Sequence, residues 1–577
     1  MLQRNKSSNF SLLPEAHIQR SVFDRSSSHK FTFNVGELIP FYVDEVLPGS
    51  THQIRTSKMV RLQTPATPFM DDLYLDTYYF FVPNRLIWDK WKEFQGENNT
   101  SHWIPTTEYT VPQITLPLLG EANQKALFPI GSIADYMGLP SGQKAGQLTL
   151  DDAGGEVVNF LPIYYQNPNN VSFNALPFRA YALICNDWFR DQNLSDPLWV
   201  PTTSGSYSAT YDYPSAPDSD VTFKNTETLK RQALGGRPYR VCKYHDYFTS
   251  ALPSPLKGDD VKVPVSMTSS AAVFSADSQG GTTYYITRNS SGALVTSTSN
   301  PSTNALYLNG VLTDGNAGIS INDLRLAFAT QAQYERDARG GTRYTEVLRS
   351  NFGVISPDAS LQRSQYLGGN HFRINVNQVV QQSSGGGEAN SFLGDVAAFS
   401  ATADSNGDFI QSFTEHGFII GVCCARYNHS YQQGAERFWF RKKRFDYFMP
   451  AFANIGEQAI NYGEIYVDPS NTTKIDPTSV FGYQEAWAEY RMKPNRVSGE
   501  MRSQCVNTLD YWHLADNYSA PPHLSDGWIR EDPNNVDRVL TVSHSVANQI
   551  FADFYIDNKT TQPIPMYSIP ATLGGNF

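Results

Sequence analysis

Segments with the composition of β-strands lie near the two ends of this 577-residue chain and are sparse in its middle. Val, Ile, Tyr and Phe enrichment marks these segments, which cover residues 30–35, 38–43, 52–63 and 73–82, and then 372–380, 417–427, 437–440, 538–544 and 549–557. The run TYYFFV within residues 73–82 is typical of a buried strand. Strands from both ends must therefore pair across hundreds of residues. This arrangement predicts an all-β core of Greek-key or jelly-roll type, with long excursions between strands.

Composition favours one large β domain over several ordinary ones. Aromatic residues make up 13% of the chain and charged residues only 18%, while 34 prolines and 40 glycines punctuate it throughout. The longest apolar run, residues 417–425, is far shorter than the ~20 residues of a membrane-spanning helix. The first residues lack the apolar core of a signal peptide, so we expect neither export by that route nor insertion into a membrane.

The cysteines indicate a reducing compartment. They are five in number and scattered along the chain, which favours free thiols and assembly in a cytoplasm. Cys423 and Cys424 are adjacent within a predicted strand, so their side chains should point to opposite faces of a sheet. We expect both to be packed thiols.

The excursions between strands should carry helices. The pattern predicts one helix after Asn84, one over residues 178–187, and a longer one from Asn322 to the Gly340-Gly341 pair, with a short helix following near residues 344–352. In the long helix, Leu324, Phe328 and Ala332 share one face.

The residues before that helix are rich in Ser, Thr, Gly and Asn and contain short β-like runs. We predict a surface protrusion over residues 264–320, although the same composition also fits a flexible linker. The organisation is then residues 1–263 as the first part of the core with its insertions, 264–320 as the protrusion, and 321–577 as a helical anchor and the remainder of the core. The Ser/Thr/Tyr-rich loop at 202–220 is the second candidate for an exposed tip.

No common catalytic or cofactor motif is present. The chain has no G-x-S-x-G elbow, H-E-x-x-H motif, P-loop or dinucleotide-binding glycine pattern. Cys242 and His245 have the spacing of a zinc-ligand pair, but no second close pair follows. The stretch DSNGD at 404–408 is interpreted as a polar turn. We therefore expect no catalytic residue, no metal, no cofactor and no enzyme activity.

The segment AERFWFRKKRFDYFMP, residues 435–450, combines basic and aromatic side chains. Such a mixture can bind single-stranded nucleic acid, because cations hold phosphates while rings stack on bases. The candidate residues are Arg437, Trp439, Arg441, Lys442, Lys443 and Arg444. Two alternatives explain the same sequence pattern: a hairpin that exposes RKKR and buries the rings, or a patch between subunits. Since the net charge is −11, any contact with a polyanion must be local.

A second charged group follows the protrusion. Its members can clamp carboxylates across a subunit interface or pair within their own helices, and they are Glu335, Arg336, Arg339, Arg343 and Arg349.

Several long blocks of the sequence resemble one known family. They are YERDARGGTRY with the following LRSNFGV and YLGG, and the blocks at residues 23–50, 67–98, 243–258 and 481–503. In wording and order they are similar to the major capsid protein of the Microviridae, in the gokushovirus branch of small icosahedral phages. The resemblance spans most of the chain apart from residues 264–320 and some loops.

This resemblance implies an eight-stranded antiparallel jelly roll of the viral-capsid type, with long helix- and loop-containing insertions. It further implies a structural protein of the virion, assembled in the cytoplasm of a host bacterium into a T=1 icosahedral homo-oligomer around circular single-stranded DNA. The partners it implies are a small basic DNA-binding protein, an internal scaffolding protein, a pilot protein and a host cell-surface receptor. The 264–320 protrusion would then form a spike at the three-fold axis, used in host attachment.

Two other classes compete with this interpretation. A secreted carbohydrate-binding or carbohydrate-active β protein would need a signal peptide and a substrate cleft. A tail or fibre adhesin would usually contain repeats or a long coiled coil, and no repeat is visible.

Overall fold

The fold was obtained as a computed structural model. It describes residues 19–95, 109–115, 128–142, 148–150, 156–158, 172–205, 207–208, 232–255, 271–272, 274–276, 283–288, 294–297, 307–308, 321–340, 362–380, 396–467 and 476–567.

Two five-stranded sheets form the centre of the molecule. Their strands, in chain order, are β1 (Ser21–Asp24), β2 (Ser27–Phe33), β3 (Glu37–Val46), β4 (Thr51–Leu62), β5 (Leu73–Pro83), β6 (Tyr239–Arg240), β7 (Gln365–Ile374), β8 (Thr402–Ser412), β9 (Gly417–Tyr427) and β10 (Ile550–Gln562). The first sheet has the order β1-β10-β4-β8, with β2 also paired to β10, and the second has the order β6-β3-β9-β5-β7. All of these pairings are antiparallel.

Shorter strands build small two- and three-stranded sheets. They are Gln113–Thr115, Phe128–Pro129, Ser141–Gly142, Leu148–Leu150, Glu156–Val158, Ser172–Asn174, Tyr207–Ser208, Ala271–Ala272, Phe274–Ala276, Thr283–Arg288, Leu294–Ser297, Tyr307–Leu308, Val376–Val380, Val396–Ser400, Ser430–Tyr431, Glu457–Asn461, Val480–Glu485 and Asn495–Arg496.

Most of the described helices are short. They are α1 (Asn84–Ile87), α2 (Trp91–Phe94), α3 (Ile133–Tyr136), α4 (Leu176–Ile184), α5 (Ile321–Gly340), α6 (Tyr462–Ile465), α7 (Asp526–Ile529) and α8 (Asn534–Asp537). A π-helical turn, Cys185–Phe189, continues α4. Single 3₁₀ turns occupy Arg437–Phe440, Arg444–Asp446, Pro450–Phe452, Ala488–Tyr490, Gly499–Met501 and Asp510–Trp512.

The two sheets face each other across one apolar core. Along β4 the even-numbered residues from His52 to Leu62 are buried and the odd-numbered ones are mostly exposed, the period of two that a strand imposes. The rings of Phe31, Phe41 and Phe554, from strands of both sheets, meet at centroid distances of 5.0 to 5.1 Å. The result is an antiparallel β-sandwich.

The second sheet is covered on both faces, which explains why β5 and β9 are continuous apolar runs. Cys423 belongs to the core between the sheets, whereas Cys424 belongs to a second cluster on the opposite face. The prediction that these two thiols pack on opposite sides is confirmed. Helix α4 contributes to that second cluster, and its Tyr181 hydroxyl donates to the Leu38 carbonyl of β3 at 2.6 Å.

The structure confirms most predicted elements near the chain ends and corrects others. Residues 437–440 form a 3₁₀ turn and residues 538–544 contain no strand, so both strand predictions are wrong. The polar turn predicted at 404–408 is also wrong, because these residues lie within β8 and pair with β4. The single helix predicted after Asn84 is instead two short ones, α1 and α2, and Pro83 occupies the N-cap position of α1.

The chain divides into two compact units. One contains Met1–Pro253 and Pro357–Phe577, and it holds both large sheets. The other is Ser254–Ser356, whose described part includes a three-stranded sheet and the predicted helix α5.

Candidate nucleic-acid interface

The basic and aromatic segment 437–448 follows β9 and the short strand Ser430–Tyr431. Gly434 lies against the chain at α6, where a Cβ would collide with the Glu464 carbonyl, so the close approach requires glycine. Downstream of this contact the chain forms the 3₁₀ turns Arg437–Phe440 and Arg444–Asp446. Among the described residues, no strand pairs with residues 437–440 to keep them extended, which explains why the predicted strand is absent.

Arg437 and Arg441 point inward and bind two glutamates. Arg437 Nη1 donates to the Ala459 carbonyl at 2.7 Å and lies 3.3 Å from Glu464 Oε1. Arg441 Nη2 donates to Glu489 Oε1 at 2.7 Å, and Nη1 donates to the Tyr490 hydroxyl at 2.8 Å. With only 7% of its side chain exposed, Arg441 is an anchor of the segment.

Lys442, Lys443 and Arg444 point into solvent. The Asp446 carboxylate accepts the backbone N–H groups of Lys442 and Lys443 at 2.8 and 2.7 Å. These backbone hydrogen bonds lower the pKa of Asp446. The turn is therefore tied to its own backbone through the Asp446 carboxylate.

Most aromatic side chains of this segment are on the surface, and only the Phe440 ring is more than half covered. Trp439 is 70% exposed and Phe445 64% exposed, and Phe438, Tyr447 and Phe448 are each about half exposed. The hairpin alternative, in which RKKR is exposed and the rings enter the core, is therefore wrong. Exposed rings beside exposed cations remain compatible with nucleic acid or with another subunit.

A second stretch of chain, residues 489–502, faces this segment across a cleft. The two stretches are joined by the parallel pairing of Ser430–Tyr431 with Asn495–Arg496. Just before this stretch, Trp487 adopts a left-handed φ of 66°, uncommon for a bulky residue, and its indole N–H donates to the Phe452 carbonyl at 2.8 Å. This bend precedes the 3₁₀ turn that carries Glu489 and Tyr490. Sequence reasoning missed the basic residues of this stretch, since they stand about fifty positions from the segment they face.

Behind the segment lies a buried ionic network. His429 Nδ1 is 2.8 Å from Asp516 Oδ1 and His429 Nε2 is 3.0 Å from Glu531 Oε1, while Lys243 Nζ is 3.1 Å from Asp516 Oδ2. Burial alone would disfavour the imidazolium, but the two carboxylates outweigh it and raise the pKa of His429 to about 9. Burial likewise opposes ionisation of Asp516, yet His429 and Lys243 hold its pKa below the usual range.

This network lies next to the strand that precedes the interface segment. The Asp516 N–H donates to the Ser430 carbonyl at 2.9 Å, directly after His429. Three distant parts of the chain, near residues 243, 429 and 516–531, are thereby held together. No spacing in the sequence indicated this convergence.

The second predicted charged group is only partly described. Glu335 accepts a hydrogen bond from Gln331 Nε2 at 3.0 Å within α5. Arg336 and Arg339 lie on the same helix, but their side chains are outside the described residues, as are Arg343 and Arg349 entirely. The face shared by Leu324, Phe328 and Ala332 is exposed.

Among the described helices, none has both the length and the apolar character that crossing a lipid bilayer requires.

Comparison with known proteins identifies the family. A model of the phage capsid protein (F protein) family matches residues 11–147 and 159–572. The chain is 36% identical to capsid protein VP1 of Bdellovibrio phage phiMH2K over 600 residues, with 99% of both chains covered. It is 37% identical to capsid protein VP1 of Spiroplasma virus 4 and 34% identical to that of Chlamydia phage 1, with 97% of each chain covered in both cases.

These matches confirm the resemblance drawn from the sequence blocks and leave the carbohydrate-related and adhesin alternatives without support. A capsid protein assembles into an oligomeric shell, and its role is structural rather than enzymatic. The chain therefore belongs to the phage capsid protein (F protein) family of the Microviridae and is a component of the virion.

Proposed function

We propose that this chain is the major capsid subunit of a T=1 icosahedral shell that encloses circular single-stranded DNA, and that its core is an eight-stranded jelly roll. The strand pairing carries the proposal. Counted from the outside inward, β2 pairs with β10, β3 with β9, β4 with β8, and β5 with β7. A long hairpin folded over on itself would give this nesting of first with last strands, which supports a jelly roll.

Residues 264–320 are proposed to form the surface protrusion, between a first part at 1–263 and a remainder at 321–577. The compact unit Ser254–Ser356 contains this stretch, which supports treating it as a separate excursion. Its proposed role is a three-fold spike used in attachment to a host receptor. The loop at 202–220, largely outside the described residues, is the alternative tip.

The charged group Glu335, Arg336, Arg339, Arg343 and Arg349 is proposed to contact a neighbouring subunit. The exposed apolar face of α5 supports this, because apolar side chains left uncovered on a single subunit are typical of interfaces.

The genome contact is proposed at the segment 437–448. Lys442, Lys443 and Arg444 supply positive charge and Trp439 a stacking surface, while Arg437 and Arg441 hold the segment in position. The net charge of −11 supports a division of labour in which a small basic DNA-binding protein neutralises most of the genome. An internal scaffolding protein, a pilot protein and assembly in the bacterial cytoplasm complete the proposal by analogy with the family.

The experiment replaces Lys442, Lys443 and Arg444 together by glutamine in the virus. The expected result is particles of normal size with reduced packaged DNA, measured by sedimentation and by the ratio of absorbance at 260 and 280 nm. Loss of all particles would instead make the segment a subunit interface.

A matched control replaces three exposed cations on the outer face of the first sheet, Arg55, Arg61 and Lys559, by glutamine. It changes net charge equally and should retain more DNA than the 442–444 variant. Equal loss of DNA in both variants would show that net charge, and not the 442–444 site, determines how much DNA is packaged.

A further inference from the structure

The cleft between residues 435–441 and 489–502 has a volume of about 390 Å³. Pockets that bind small molecules typically measure ~300–1,000 Å³, so this one has room for a ligand fragment. Its lining comes from a single compact unit of the chain.

The floor of the cleft is electrically balanced. Arg437 and Arg441 face Glu464 and Glu489, and the Tyr247 hydroxyl donates to Glu464 Oε2 at 2.8 Å. These contacts hold the floor rigidly, and they leave it without surplus charge.

The mouth of the cleft has an excess of positive charge. Lys493 Nζ and Arg496 Nη1 lie 3.6 and 3.1 Å from the Glu436 carboxylate, which both must share. Arg502 also lines the cleft and is exposed, and within the described residues its guanidinium makes no ion pair. Three cations therefore meet one carboxylate, on a protein that is acidic as a whole.

An exposed aromatic surface lies beside these cations. The Trp439 indole packs on Phe438 at a centroid distance of 4.8 Å, so one face is supported while most of the side chain stays in solvent. Nucleobases stack on such rings with little sequence preference. Directly after Arg441, the exposed Lys442, Lys443 and Arg444 extend the positive charge along the chain.

We propose that this cleft binds one unstacked nucleotide of a single strand of DNA, with the base on Trp439 and the adjoining phosphates at Arg496 and Arg502. The inference rests on the proposed genome contact and extends it to a site with a second wall, residues 493–502. The phosphodiester satisfies the uncompensated cations, and the indole covers the base.

The test measures binding of a fluorescently labelled dT oligonucleotide to the purified full chain by anisotropy, over a series of salt concentrations. Trp439→Leu should weaken binding roughly tenfold, whereas Trp439→Phe, which retains a ring, should keep most of the affinity. Arg502→Gln should weaken binding several-fold and reduce the slope of log K against log salt by about 0.7, as expected for one phosphate contact on a single strand.

Arg61→Gln and Tyr555→Leu, on the outer face of the first sheet, are the matched controls and should bind the oligonucleotide like the wild type. Thermal unfolding of every variant identifies any that fails to fold. If Trp439→Leu fails to fold, Trp439→Phe and Arg502→Gln still test the proposal.

Equal affinity of wild type, Trp439→Leu and Arg502→Gln would overturn the proposal. Free dTMP binding as tightly as the oligonucleotide would make this a site for a free nucleotide. Competition by a poly-glutamate peptide of equal charge as strong as that of DNA would make it a peptide site. Either result overturns the strand-binding inference.

Failure here is distinguishable from failure of the proposed function. If the cleft variants bind like wild type while the 442–444 variant loses packaged DNA, only the cleft assignment falls. If particles of the wild type contain no DNA, the proposed function itself falls.

Discussion

Strand β9 and the segment 437–448 are both rich in apolar side chains, yet β9 buries them and the segment exposes most of them. In β9, every residue except Arg426 is buried, because sheet partners lie on both sides and apolar clusters cover both faces. In the segment, most rings are exposed and two arginines are inside. Aromatic content alone therefore does not predict burial; the partners available to the backbone and to the charged groups decide it.

The largest effect should come from truncating a core ring. Phe554 is fully buried on β10 and contacts Phe31 and Phe41 from the two strands beside and opposite it. Phe554→Ala should lower the free energy of unfolding by about 3–5 kcal/mol, since both transfer energy and a cavity are lost. Denaturant unfolding measures the change. Trp439→Ala, the matched ring truncation on the surface, should change it by less than about 0.5 kcal/mol.

A similar loss of unfolding free energy in Trp439→Ala would contradict the contrast between β9 and the segment, because it would mean that the exposed ring packs as a core residue does. Similar unfolding of wild type and Phe554→Ala would contradict the assignment of the core.

Much of the sandwich could be predicted because β3, β4, β5, β9 and β10 carry local signals, either alternation or a continuous apolar run. β8 could not, since TADSNGDFIQS has the composition of a turn and becomes a strand only by pairing with β4. Tertiary pairing overrides local propensity there.

The candidate site was predicted only in part, for a related reason. The segment 437–448 is contiguous and its composition is visible, whereas Lys493, Arg496 and Arg502 join it through the pairing of Ser430–Tyr431 with Asn495–Arg496. Which arginines point inward depends on Glu464 and Glu489, and nothing in the spacing indicates those contacts.

The second prediction concerns pH. The pKa of His429 is raised to about 9 between Asp516 and Glu531, from about 6.5 in the unfolded chain. A raised pKa adds stability that is complete below about pH 6.5 and is lost as pH rises towards 9. The loss should amount to about 3 kcal/mol at most, measured by denaturant unfolding at several pH values.

His429→Gln should be less stable at pH 6 and should lose most of this pH dependence. An equally steep decline in the variant would show that other groups cause it. Lys243 is kept in both proteins, so Asp516 retains one cationic partner in the variant.

The smallest effect separates two arginines that are three positions apart. Arg441 is almost fully buried and donates to Glu489 and Tyr490, whereas Arg444 is exposed. Arg441→Gln should lower the free energy of unfolding by about 1–3 kcal/mol, because the partly buried Glu489 carboxylate loses its charged donor. Arg444→Gln should change it by less than about 0.5 kcal/mol.

Arg441→Gln should cause the larger loss of stability, but Arg444→Gln should cause the larger loss of DNA affinity, measured at a temperature where both variants are folded. Arg444→Gln removes a cation that is open to phosphate, and Arg441→Gln removes one already neutralised by Glu489. Equal losses of stability in both would mean that the segment is not anchored through Arg441, and the contrast between inward and outward cations would fail. If the contrast holds, Arg441 stabilises the fold because it is buried against Glu489, and Arg444 binds DNA because it is exposed to phosphate.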